Sequence, residues 1–405
     1  MKQSILQAVP EGRVAEIELL LCCARSKLSP ELIERICSLV SKDIDWDYFV
    51  ESASRHRVLP LVYRSLEDAC TKEIPEYVLY RLKGQFRANV ARNLVFSGKL
   101  LKLLKVLENE GIAAVPFKGP VLAEYLYGDS AFRQFTDLDI LVFRHDAAKT
   151  LKHLGSIGYK PEIKLDEDQY SVFVNANKGI PLRSKIDKVS VDLHWDLCGG
   201  YVFRDLGLDF FWDRLETATL AGRKVPHFAP EDLLFYLCLH GTMEHWGMLD
   251  RICCVGQLII SRPDLNWKRV SHLARSMRCE RILFLGLLMA RDLLGISLPE
   301  NVRNDLKADP VIKSLSERFY RGLFRERKEL SEDRINRKFS YLHIQVRERL
   351  SEKIRYALYL ATSPTTEEWR RFHMPGPLSH LHYVFRPVRL AVGLGLVVMR
   401  RCLIK

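Results

Sequence analysis

The chain has 405 residues, 47% hydrophobic and 28% charged, with 22 glycines, 17 prolines and no low-complexity run. That composition excludes a disordered or fibrous protein and leaves room for two or three packed domains. A formal net charge of +12 points toward a polyanionic partner: nucleic acid, a membrane surface or a nucleoside triphosphate. The ten cysteines match no zinc-site spacing and sit mostly among apolar neighbours, so they read as reduced thiols in a cytoplasmic protein. No apolar window of about 18 residues appears, and no basic start leads into an apolar stretch. Neither a spanning helix nor a secretory signal is expected.

Residues 13–72 read as helical. Val14, Ile17, Leu19, Leu20 and Leu21 make one apolar face, and Leu32, Ile33, Ile36, Cys37, Leu39 and Val40 make another, started by Ser29-Pro30-Glu31. A helix pair follows over 44–67, with a break expected near Leu59-Pro60. A long helical pattern from Pro75 ends at Gly111.

The character changes at Ile112. The run 112–120 is short and β-like, 120–129 has helical spacing, and 132-FRQFTDLDILV-142 alternates as a strand. A helix is expected over 146–158, and β-type alternation recurs in 170-YSVFVNA-176 and 189-VSVDLHWDL-197. After Phe210 the pattern reads as helical to the end. The expected organisation is a helical N-terminal region (1–110), an α/β core (111–210), a helical C-terminal region (211–362) and a basic apolar tail (363–405). The fold class is α/β (α+β), a mixed β-sheet core flanked by helical regions.

The strand 137–142 carries an anomaly. Asp137 and Asp139 share one face of an otherwise apolar strand, and unpaired carboxylates there are costly. A third acid, Asp192, sits in another β-type run, with His194 and Asp196 on its face and Val191, Leu193 and Trp195 on the opposite one. Two carboxylates one residue apart and a third on a neighbouring strand can hold a pair of Mg²⁺ ions. A turn cap at Thr136-Asp137 is the plainer alternative for the pair, and Asp196 is the alternative to Asp192. His194 reads as a hydrogen-bonded residue supporting the acids rather than as a ligand.

Upstream, 116-PFKGPVLAEYLYG-128 leaves a strand, turns at Lys118-Gly119 and enters a helix at Pro120. A helix start with a lysine beside it suits phosphate, although Lys118 could equally be a solvated strand-end residue. Arg133 could reach the same anion or hold the Asp pair in place. His240 and His245 read as core or cleft-lining residues, and Asp250 as a solvated helix residue.

Taken in order, Lys118-Gly119, Tyr127-Gly128-Asp129, Arg133, Asp137-x-Asp139 and Asp192-Leu193-His194-Trp195 resemble the bacterial uncharacterised nucleotidyltransferase family of the polymerase-β-like superfamily. The stretches 46–66, 240–259, 363–369 and 384–390 extend the resemblance over most of the chain. It implies transfer of a nucleoside monophosphate from an NTP to an acceptor, with release of pyrophosphate. Asp137, Asp139 and Asp192 would then be the catalytic metal ligands for Mg²⁺ or Mn²⁺. Lys118 and Gly119, with Arg133, would bind the nucleotide, at the place where the superfamily has a Gly-Ser pair. The partners so implied are NTP and an unidentified acceptor: a small molecule, a protein or an RNA end. The departure from Gly-Ser leaves a rival reading, a catalytically inactive binding protein of that fold that uses its basic surface or tail for an anionic partner or a membrane surface.

From Trp369 to Lys405 there are seven Lys or Arg and no Asp or Glu, and Leu390–Met399 is apolar. That apolar run of about ten residues is too short to span a bilayer, so docking on the body or a partner surface is expected, with membrane-surface contact as the alternative.

Overall fold

The computed structural model describes residues 3–163, 167–184, 186, 189–198, 209–324, 341–364, 368–369 and 376–389. The expected tail lies outside the described residues from 390 onward. The first helices are α1 (Gln3–Leu6), α2 (Val14–Cys23), α3 (Pro30–Val40), α4 (Trp46–Arg55), α5 (Leu59–Ala69) and the long α6 (Glu76–Asn109). Local chemistry sets their starts: Ser29 Oγ accepts from Leu32 N–H, Pro30 occupies the first turn of α3, and Asp45 accepts from Tyr48 N–H. The expected break falls at 56–58, immediately before Leu59-Pro60, which opens α5. Proline in the first turn removes only an N–H that has no helical partner there.

Next come β1 (Ala114–Pro116), α7 (Gly119–Tyr127), β2 (Asp137–Val142), α8 (Ala147–Ser156), β3 (Tyr159–Pro161), α9 (Glu167–Ala176), β4 (Gly179–Ser184) and β5 (Ser190–His194). Residues 170–176 are helical, against the expected strand. Among its buried residues Gln169, Val172, Phe173 and Ala176 follow a helical spacing, while Val174, buried beside them, lets Val172, Val174 and Ala176 mimic the alternation of a strand.

After α10 (Asp209–Trp212) the chain forms a hairpin of β6 (Glu216–Leu220) and β7 (Arg223–His227), which the all-helical reading of this region missed. Ala218, Leu220, Val225 and His227 are its buried residues, so the period is two, joined by the turn Ala221-Gly222. Helices α11 (Pro230–Met243), α12 (Leu249–Ser261), α13 (Trp267–Ser276), α14 (Glu280–Leu294), α15 (Glu300–Ala308) and α16 (Pro310–Leu323) follow, then helices Tyr341–Gln345, Leu350–Thr362 and one over 382–389. No helix among the described residues is long and apolar enough to cross a membrane.

The chain divides into two compact units. One comprises residues 1–102, 116–136 and 209–348. Its centre is α11, α12 and α14, where Trp246 is fully buried and an added Cβ at Gly241 would lie 2.4 Å from its ring.

The other unit comprises residues 103–115, 137–208 and 349–405 and holds a five-stranded mixed sheet in the order β1-β2-β5-β4-β3. Strands β2 and β5 run parallel, while β4 runs antiparallel to both β5 and β3. Leu138, Ile140, Val191, Leu193, Ile180 and Leu182 are almost fully buried and form one face of the sheet. The alternate positions carry the acids.

Candidate metal centre

Strand pairing brings the separated acids together. In the parallel ladder Asp137 is aligned with Ser190, Asp139 with Asp192, and Leu141 with His194. Aligned residues of paired strands point to the same face, so Asp139 and Asp192 stand side by side. Asp139, Asp192 and His194 each offer a ligand atom within 4.8 Å of the others. Asp139 is buried, Asp192 is partly exposed, and His194 Nε2 lies 3.2 Å from Asp139 Oδ1. Asp137 shares the face one pleat earlier and is outside that group.

His194 is held by its surroundings. Gly179 of β4 is its register partner, and a Cβ there would stand 3.2 Å from His194 Nδ1 and 2.4 Å from the Leu193 carbonyl oxygen. Only a residue without a side chain allows the two strands this approach. Beyond β5, the Trp195 and Asp196 N–H groups both donate to the Lys178 carbonyl, and Trp195 Nε1 donates to the carbonyls of Val174 and Asn177. The end of β5 is thus tied to the α9–β4 turn. Asp196, the alternative third acid, lies past the strand, pairs with Arg144 at 3.3 Å and accepts from Cys198 N–H.

The donor set fits a divalent cation. Two carboxylates side by side, one of them buried, repel each other unless a positive charge sits between them. Carboxylate oxygens suit Mg²⁺ or Mn²⁺, and the imidazole can either complete the set or orient Asp139 through its hydrogen bond.

Lys118, Gly119 and Arg133 belong to the other unit. Lys118 precedes α7 in an extended conformation, its Nζ 5.3 Å from the Phe117 ring centroid and 5.9 Å from that of Tyr236. Gly119 has φ +58°, a conformation that turns strand into helix and that other residues adopt reluctantly. The Arg133 guanidinium lies 3.8 Å from the Asp250 carboxylate, both side chains being largely buried. Burial opposes its charge, but Cys254 and Asp250 outweigh that and raise its pKa. Asp250 is therefore not a solvated helix residue: its N–H donates to the His56 carbonyl and its carboxylate faces a buried cation. His240 stacks on Tyr236 and His245 on His343, as expected of core or cleft-lining residues.

Two asparagines of α6 went unnoticed in the sequence. Asn89 donates to the carbonyls of Ala131 and Arg133, and Asn93 to those of Ser130 and Arg133. They fix the backbone of the segment that carries Arg133. The available signal was a pair of polar residues at i, i+4 within a long helix.

The model of the uncharacterised nucleotidyltransferase family matches residues 42–295, more than half of the chain, and spans every residue of the acid cluster. The chain belongs to that family. The acids of the cluster stand on adjacent strands of its five-stranded mixed sheet. Among solved structures the chain is similar to the antibiotic-resistance factor ANT(2'')-Ia, determined in solution, at 12% identity. That alignment covers 46% of this chain and 92% of the other, with a TM-score of 0.31. No curated protein matches the chain.

Proposed function

We propose that this family member transfers a nucleoside monophosphate from an NTP to an acceptor hydroxyl or phosphate, with release of pyrophosphate. The observation that carries the reading is the alignment of Asp139 with Asp192 on parallel strands, beside His194, in a chain of a nucleotidyltransferase family. In the proposed reaction an acceptor oxygen forms a bond to the α-phosphorus, the bond from that phosphorus to the bridging oxygen breaks, and pyrophosphate leaves. Bound Mg²⁺ or Mn²⁺ would neutralise charge on the triphosphate and on the leaving group. Asp139 and Asp192, with Asp137 on the same face, are the proposed metal ligands.

Asp192, more exposed than Asp139, is also the group assigned to receive the acceptor's proton. His194 keeps the Asp139 carboxylate oriented. Lys118 and Gly119 are proposed to contact the nucleotide phosphates, on the ground of the α7 start and the lysine charge beside it. The same role is proposed for Arg133 on the ground of its positive charge, which the Asp250 carboxylate faces at 3.8 Å.

Label transfer tests the reading. Wild-type protein and Asp139→Asn would be incubated with a lysate, Mg²⁺ or Mn²⁺, and ATP or GTP labelled at the α or the γ position. Transfer from the α position by wild type alone supports nucleotidyl transfer and reports the acceptor's size class. Transfer from the γ position would make the protein a kinase. Equal transfer by the Asn variant would remove the acids from the chemistry.

A further inference from the structure

Two helices of the sheet-bearing unit are amphipathic in the wrong sense for a protein surrounded by water. The helix Leu350–Thr362 buries Glu352 and Tyr356, while Leu350, Ile354 and Leu358, at i, i+4 and i+8, are each more than half exposed. The helix over 382–389 does the same. Its inward stripe is His382 and Arg386, both buried, with Arg389 half-buried one turn further on. Its outward stripe is Val384, Phe385 and Val388, each at least half exposed, continued by Leu381.

The inward polar face makes specific contacts with the body of the unit. Arg386 Nη1 donates to both oxygens of Glu368 at 2.9 and 3.0 Å, its Nε donates to the Leu360 carbonyl, and His382 stacks on Trp369 at 4.2 Å. The outward residues cannot be exchanged for the inward ones by a rotation without breaking that ion pair, which would leave a charge buried and unpaired.

Water is a poor environment for seven aliphatic or aromatic side chains arranged in two helical stripes. The charges around them narrow the choice of occupant. Among the described residues of 349–389 the carboxylates, Glu352 and Glu368, are buried, whereas Arg349 and Arg355 are exposed and Lys353 is half-exposed. Beyond Glu368 the sequence has no acid and, besides Arg386 and Arg389, which pair with Glu368, adds five Lys or Arg. A second copy would present the same positive rim and repel it. An RNA would stack on aromatic rings, and only Phe385 in the two stripes is aromatic. An anionic lipid surface supplies an apolar medium and negative headgroups together.

We propose that the outward faces of Leu350–Thr362 and of the helix over 382–389 seat the protein on an anionic membrane surface. The apolar side chains enter the headgroup boundary, and Arg349, Lys353 and Arg355 meet lipid phosphates and carboxylates. The inference is independent of the reaction proposed above.

Flotation of the full chain with vesicles tests it. One set would be phosphatidylcholine alone, the other phosphatidylcholine with about a third phosphatidylserine. Binding to the anionic set should exceed binding to the neutral set by about tenfold or more and fall with added salt. The double variants Ile354→Glu/Leu358→Glu and Val384→Glu/Phe385→Glu should each lose about tenfold or more of that binding. Because these four side chains are exposed, both variants should keep the wild-type unfolding temperature. No binding to anionic vesicles, or binding that survives both double variants, overturns the proposal. So does lipid-free self-association in sedimentation that the same substitutions abolish, which would give the face to a second copy.

Discussion

Asp139 and Asp192 are direct register partners on adjacent parallel strands, with the imidazole of His194 reaching back to Asp139. Two carboxylates so placed repel each other in the absence of a cation. Replacing one by its amide removes that repulsion and leaves the shape unchanged. Asp192→Asn should therefore unfold no earlier than wild type in chelator, yet lose the stabilisation that Mg²⁺ or Mn²⁺ gives the wild type. Its transfer rate should fall by about a hundredfold or more. Thermal unfolding with and without metal separates the two effects, and a metal-induced shift retained in the variant would count against ligation.

His194 tests a finer point. If its ring serves to orient Asp139, His194→Gln, whose amide can also donate a hydrogen bond, should retain more metal affinity than His194→Ala. The alanine variant should lose about ten- to a hundredfold, the range for a supporting residue around a metal ligand. Metal titration by calorimetry would show it. Equal loss in both variants would instead make the imidazole a ligand in its own right.

How much of this was legible in the sequence depends on the range of the interaction. The two acids in β2 stood out because a period-two apolar strand has no ordinary use for them, and the β-type run around Asp192 was equally visible. Their alignment was not, since register between β2 and β5 is settled by tertiary pairing across more than fifty residues. The β6–β7 hairpin hid behind weakly apolar residues such as Thr217 and Thr219. Helix α9 was obscured because Val172, Phe173 and Val174 satisfy both periods over so short a window. Asn89, Asn93 and Gly179 carried no local signal of their role. What each does depends on the backbone facing it, two carbonyl-bearing turns in one case and Leu193 in the other.

Gly179 offers the sharpest steric test. A methyl group there would lie 2.4 Å from the Leu193 carbonyl oxygen, closer than real contacts allow, so β4 must move away from β5. Gly179→Ala should cost about 1–3 kcal/mol of stability and lower metal affinity through displacement of His194. Urea unfolding and metal titration on the same sample would check both. A variant with wild-type stability and wild-type affinity would mean that the strand pair is more pliable than its register implies.

Three buried histidines of the helical unit make stability depend on pH. Burial holds His56 at a pKa of about 3, His227 at about 4 and His343 at about 3, each below the ordinary value of 6.5. In the unfolded chain all three take up protons as the pH falls through 6.5, whereas in the folded chain they do not. The unfolded state then binds more protons, so stability rises with pH in that window and is lost as the pH drops toward the folded values. Each histidine contributes about 1.4 kcal/mol per pH unit below 6.5, or about 2 kcal/mol each between pH 6.5 and 5. Urea midpoints should fall steeply over that interval. His343→Gln, whose amide can still reach the Thr242 carbonyl that His343 Nε2 faces at 3.0 Å, should remove about a third of the slope. Midpoints that stay level from pH 7 to 5 would show that these rings are protonated in the folded protein, with acceptors for the extra proton.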